Sequence, residues 1–214
     1  MFVRIFAVIY ADSITASMKK LSVDLKTEKD LIEMYRLDEV VVNDTIRSNI
    51  ALTLQYVHFN LDMTKTYDLE KDLKALTFKQ LLISTFSVLE GIMLGAIDTL
   101  KKWCDSMESC QSKCEFYFKK DVSEYIRFKE MKDHLCTIKA LSFSPHGMEF
   151  VEIAKDLRNN VHIGKSSELE SENTYYSAEF VDRSIIAIRE TVIVLAAFIS
   201  QQKNEFLPAL RMCP

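Results

Sequence analysis

Four glycines and three prolines are all the strong backbone breakers in a chain of 214 residues. Tight turns draw on both, Gly for positive φ and Pro for its fixed φ, so a β-sandwich or barrel runs short of turn material. Such a chain can build long helices joined by few loops. Hydrophobic residues make up 48% and charged residues 27%, which supplies a core and argues against disorder. The expected fold class is all-α, in one compact unit.

The helical signal is strongest from Thr77 onward. Leu81, Leu82, Phe86, Leu89, Met93, Ile97 and Leu100 form one apolar stripe, which predicts a core helix of six or seven turns. Gly91-x3-Gly95 on that helix predicts close approach by another element. A second helical region is expected over roughly 106–140, polar with apolar interruptions (Phe116, Phe118, Val122, Ile126, Leu135, Ile138). Ser144-Pro145 reads as a helix start, followed by a buried stripe of Phe150, Ala154, Leu157 and Val161 and a stop at Gly164. The polar run 164–174 predicts a loop. The last helix is expected from Ala178 to Gln202, apolar at Val181, Ile185, Ile188, Val192, Leu195 and Ile199, with a frayed tail beyond.

The first third is less periodic. A short helix is expected over 28–37 and a longer one capped by Asn43 or Asp44, with Ile46, Ile50, Leu54, Val57 and Leu61 inward. Val40-Val41-Val42, Thr45 and Thr53 keep strand open there. The apolar start, Met1 to Tyr10, carries Arg4 and suits a short N-terminal strand or buried arm. The organisation expected is an N-terminal helical extension, 1–76, and a helical bundle, 77–202.

Charge and motifs narrow the function. The net charge is −4, so any nucleic-acid contact must be local rather than a broad basic field. Five cysteines leave one over if the rest pair, which suits reduced thiols in a cytoplasmic protein. Cys110-x3-Cys114, with Cys104 and His134-x-Cys136, matches no common zinc knuckle, and neither metal nor cofactor is expected. Glu90 and Asp98 interrupt the run 81–100, and Arg189 and Glu190 interrupt 185–200, so no membrane span is expected. Phosphate-loop, dinucleotide, His-Glu-x-x-His and Gly-x-Ser-x-Gly signatures do not occur.

One constellation carries chemistry: Leu157-Arg158-Asn159-Asn160-Val161-His162, closing a helix before the polar loop. Arg158 and His162 are four apart and share a helix face at the rim of the core. A permanent planar cation beside a group that moves protons near neutrality suffices in kind for metal-free RNA cleavage. The same residues also suit a plain helix end, where the macrodipole favours cations. Lys155 and Lys165 flank the motif and could position phosphates. Tyr175-Tyr176 could stack a base or form a packing seam. Glu90 is expected at the surface or paired with a cation such as Arg158. His58 reads as a partly buried helix residue, and His134 and His146 show no evident partner.

The Arg158-Asn159…His162 element, on a late helix after one containing Leu89-Glu90-Gly91, resembles the HEPN superfamily (higher eukaryotes and prokaryotes nucleotide-binding domains). The resemblance covers about 77–202 and implies a HEPN-like helical bundle with the motif on the penultimate or last core helix. Many such proteins are metal-independent endoribonucleases of toxin–antitoxin or abortive-infection systems, and they frequently form homodimers. By that resemblance Arg158 is the phosphate-binding cation, Asn159 orients the site and His162 is the general acid/base. A small antitoxin or a nucleotidyltransferase is the implied partner. Three residues separate Arg158 from His162, where the nuclease motif has four to six. That shorter spacing favours the alternative, a catalytically inactive HEPN-like interaction or regulatory module.

Overall fold

The computed structural model describes residues 25–106, 116–120, 126–159 and 176–211. Among these are six α-helices: α1 (Glu28–Tyr35), α2 (Asp44–Thr66), α3 (Lys71–Ser106), α4 (Phe128–Thr137), α5 (Pro145–Asn159) and α6 (Ala178–Arg211). A 3-10 turn, Leu37–Glu39, follows α1, and the described residues contain no strand. The protein is an all-α bundle. The N-terminal strand or arm expected before residue 11 lies outside the described residues.

Local chemistry sets most helix starts. Thr27 and Asp30 form a capping box at α1: the Thr27 hydroxyl accepts from the Asp30 amide at 3.2 Å, and the Asp30 carboxylate from the Thr27 amide at 2.8 Å. Asn43 caps α2 by accepting from the Ile46 amide at 3.3 Å, and Ser177 caps α6 through the Phe180 amide at 3.2 Å. Ser144 accepts from the Gly147 amide at 3.1 Å, with Pro145 as the first helical residue of α5. Arg36, in the left-handed region at φ 53°, ends α1 and turns the chain into the 3-10 segment.

α3 is the axis of the bundle, and α2, α4, α5 and α6 all pack on it. Its predicted stripe is buried throughout, and a single apolar core continues from Leu31 to Ile199. The described part of residues 1–76 belongs to that same core, and position 77 falls inside α3. Phe86 is a central contact, with its ring centroid 4.8 Å from that of Phe128 on α4 and 6.5 Å from that of Phe150 on α5. The two glycines of α3 face the N-terminal layer: a Cβ on Gly91 would lie 2.9 Å from Ile50 of α2, and one on Gly95 2.6 Å from Val41. Close approach is thus made by α2 at one glycine and by the α1–α2 connection at the other.

Several boundaries differ from the sequence expectation. Val40–Val42 form no strand: their main chain is held on α3 by Thr99, which donates to the Val40 carbonyl at 2.8 Å and accepts from the Val42 amide at 3.2 Å. α3 starts six residues before Thr77 and runs 36 residues, because Ala75 and Phe78 extend its buried face. Residues 106–140 are not one helix. Phe116 and Phe118 are buried from non-helical chain, and among the described residues of that stretch beyond Ser106 the helix is Phe128–Thr137, ending where Lys139 turns to φ 60°. α6 passes Gln202 and continues to Arg211.

α3 and α6 each contain an 18-residue window with a mean hydropathy of 1.6, long and apolar enough to cross a membrane by composition. In this fold 67% of the α3 window and 50% of the α6 window are buried against protein. Core helices of a bundle meet the same criterion.

Candidate functional site

α5 carries the first part of the sequence-predicted motif, Leu157-Arg158-Asn159, and the rest lies outside the described residues. Phe150, Val151 and Ala154 anchor its inner face in the core, between α3 and α6. Two polar ties hold it to α6: Ser144 donates to the Glu190 carboxylate at 2.7 Å, and Glu149 lies 3.9 Å from the Arg183 guanidinium. Arg158 and Asn159 occupy the last turn of this fixed helix. Their side chains, together with His162 and Lys165, lie outside the described residues. The Glu90–Arg158 pairing therefore also lies outside them, and Glu90 itself is half-buried.

Lys155 stands one turn before Arg158 and is exposed. Its ammonium is 3.9 Å from the Glu152 carboxylate, at the outer limit of an ion pair between two half-exposed groups, so it stays free to meet an anion. Tyr176 packs against the core at the entry of α6, as a packing residue would. Tyr175 lies outside the described residues.

The structure brings together a second set of polar residues. Tyr35 of α1 is buried, and its hydroxyl shares a 2.8 Å hydrogen bond with Nε2 of His58 on α2. The guanidinium of Arg189, from α6, lies over the same tyrosine, 5.1 Å from the Tyr35 ring centroid. Burial, joined by the positive charge of Lys26, lowers the His58 pKa to about 4, so the ring is neutral at pH 7. Burial raises the Tyr35 pKa, against the pull of Arg189.

His134 lines a cleft of about 340 Å³ with Tyr117, Phe118, Lys119, Lys120 and Glu130. Its ring meets Phe118 edge-on, with centroids 5.0 Å apart. Burial lowers its pKa, while a hydrogen bond with the Phe116 backbone acts the other way. Its Nε2 is buried with no hydrogen-bond partner among the described residues. On its wall, Lys120 makes a 2.9 Å ion pair with Glu130.

Among the described residues no three His, Cys, Asp or Glu side chains converge as metal ligands. Cys104 is buried and Cys136 exposed, both as thiols, while Cys110 and Cys114 lie outside the described residues.

Sequence reasoning passed over the Tyr35–His58–Arg189 set for a physical reason. Its members lie on three helices, and no local spacing links them. Arg189 registered only as an interruption of an apolar run.

Comparison with protein-family models, curated proteins and solved structures finds no match to this chain.

Proposed function

We propose that this chain is a HEPN-like, metal-independent endoribonuclease of a toxin–antitoxin or defence system, acting on RNA in the cytoplasm as a homodimer. The observation that carries the reading is the position of Arg158-Asn159. They end α5, the penultimate described helix of an all-α bundle, on an element anchored in the core.

In this reading His162 accepts the proton of an RNA 2′-hydroxyl as its oxygen attacks the adjacent phosphorus. Arg158 stabilises the charge on the phosphorane, Asn159 orients the site, and Lys155 and Lys165 hold flanking phosphates. The His162 of the second protomer returns a proton to the departing 5′-oxygen, leaving a cyclic phosphate and a 5′-hydroxyl. An antitoxin or nucleotidyltransferase partner would restrain the activity.

The second reading, a catalytically inactive interaction module, draws on the short Arg158-to-His162 spacing and the net charge of −4. Ile186 and Ile193, seven apart on α6 and 54% and 53% exposed, also suit a binding surface.

The test is RNA cleavage by the purified protein in excess chelator, beside Arg158→Ala and His162→Ala. Cyclic phosphate ends, lost in both folded variants, are expected. Equal cleavage by all three proteins, or none across varied RNAs, would move the assignment to the interaction module.

A further inference from the structure

α6 carries the most exposed large apolar side chains among the described residues, Ile186 at 54% and Ile193 at 53%. Seven residues apart, they lie on one line along the helix, about 10 Å from each other. The opposite face is packed into the core through Ile185, Ile188, Val192 and Leu195. The two isoleucines therefore form an outward ridge on a helix that is otherwise fixed.

The charges beside this ridge are opposite in sign and lie on opposite sides of it. Successive residues on a helix are about 100° apart, and the line from Ile186 to Ile193 passes between Arg189 and Glu190. Arg189 leans toward α1, its guanidinium 5.1 Å from the Tyr35 ring centroid. Glu190 leans toward α5, where it accepts from the Ser144 hydroxyl at 2.7 Å. Both are exposed, and Arg189 forms no ion pair among the described residues.

A ridge with a cation along one side and an anion along the other complements a second copy of itself in one orientation. Turned about an axis parallel to α6, a second ridge sets isoleucine on isoleucine and lays its anionic side against Arg189, twice over. Turned end for end, the sides meet like with like, arginine on arginine and glutamate on glutamate, which repel. The direction also decides where α5 ends. Ser144 meets Glu190 and Glu149 meets Arg183, so α5 runs antiparallel to α6 and Arg158-Asn159 lies toward the start of α6. Parallel pairing brings the two α5 ends to the same end of the dimer.

We propose that the outer ridge of α6 is a self-association surface on which a second copy of this chain packs its own α6 in parallel. Ile186 and Ile193 each meet their own counterpart, and Arg189 pairs with the partner subunit's Glu190 on both sides of the axis. The contact is narrow beside the roughly 800 Å² per partner of a stable interface, so the dimer exchanges with monomer at micromolar concentrations. The pairing stands on the ridge alone. That the two α5 ends then act on one RNA rests on the endoribonuclease reading.

The test is sedimentation equilibrium of the full chain across micromolar concentrations, at low and high salt. A monomer–dimer equilibrium weakened by salt is expected. Arg189→Glu and Glu190→Arg each set like charges against one another across the axis, and each alone should weaken the dimer about tenfold or more. Mixed together, the two variants should form a heterodimer about as tight as wild type, a rescue that misfolding cannot imitate. Ile186→Cys and Ile193→Cys should each form a disulfide-linked dimer on its own under mild oxidation, beyond the level of wild type. A monomer at every concentration, which leaves the ridge to another protein or to residues outside those described, overturns the proposal. So does a dimer that the charge variants leave intact, or crosslinking that needs the two cysteine variants mixed, which marks the antiparallel arrangement. RNA cleavage is scored separately: a salt-sensitive dimer that cleaves nothing refutes the endoribonuclease and supports the pairing.

Discussion

Replacing Gly95 with alanine sets helix propensity against packing, and the geometry decides which wins. An interior Gly→Ala change favours the helix by about 1 kcal/mol. At Gly95 the new Cβ would lie 2.6 Å from both γ-carbons of Val41 and 3.1 Å from its Cβ. Carbon atoms settle at ~3.5–4.0 Å, so all three contacts are repulsive. Rotating the Val41 side chain relieves only the γ-carbons, and the Cβ moves only with the main chain. That main chain is pinned: Thr99 holds residues 40 and 42, and the Val41 carbonyl accepts from Arg47 at 2.9 Å. Val41 is also fully buried, so no open space receives it.

Overpacking of a core costs about 1–3 kcal/mol, and a pinned backbone puts this site at the upper end. The net expectation for Gly95→Ala is a loss of about 2 kcal/mol, or a Tm lower by about 4–8 °C for a chain of this size. Gly91→Ala is the control. Its Cβ meets only the Ile50 side chain, at 2.9 and 3.4 Å, so its stability should stay within about 1 kcal/mol of wild type. Calorimetry and urea unfolding read both variants. Val41→Ala combined with Gly95→Ala removes both γ-carbons and should show a coupling of more than about 1 kcal/mol. A Gly95→Ala protein as stable as wild type would falsify the claim that the connection is rigidly held.

Two further expectations follow from the buried polar groups. Thr99→Val strips the Val42 amide of its acceptor and the Val40 carbonyl of its donor, and should cost about 2 kcal/mol by urea unfolding. Thr99→Ser, which keeps the hydroxyl, should cost about 1 kcal/mol or less; equal losses would mean the bonds contribute nothing. His58 takes up a proton at about pH 4 when folded and at about 6.5 when unfolded, so between those values the unfolded state binds more protons. Stability should therefore fall as pH drops from about 6.5 to 4, by on the order of 1–2 kcal/mol once solvent screening of a partly exposed ring is allowed for. His58→Gln should flatten that segment of the profile, and an unchanged slope would remove His58 as its source.

Much of the bundle was legible because local rules and the tertiary fold agreed. The stripes of α3 and α6 came from the helical period, and the starts at Asn43 and Ser144 from side-chain capping of free amides. The region 106–140 misled because its apolar residues occur often enough to suggest a helix. Phe116, Phe118 and Ile126 instead enter the core from non-helical chain. Of the predicted site, the helical setting of Arg158 and Asn159 was legible from the same periodicity. His162 and Lys165 lie outside the described residues.

The scarcity of glycine and proline and the 3.6-residue period of the apolar positions determined the helical class and the inward faces, because both act within one or two turns of chain. Which helices become neighbours is a different matter. Only packing seated Val41 against Gly95, and only packing placed Tyr35 between His58 and Arg189. Those contacts join residues with no shared period or motif, so their energies exist only once α1, α2 and α6 are assembled around α3. A sequence lists the donors and cations available to a fold, and tertiary structure decides which of them meet.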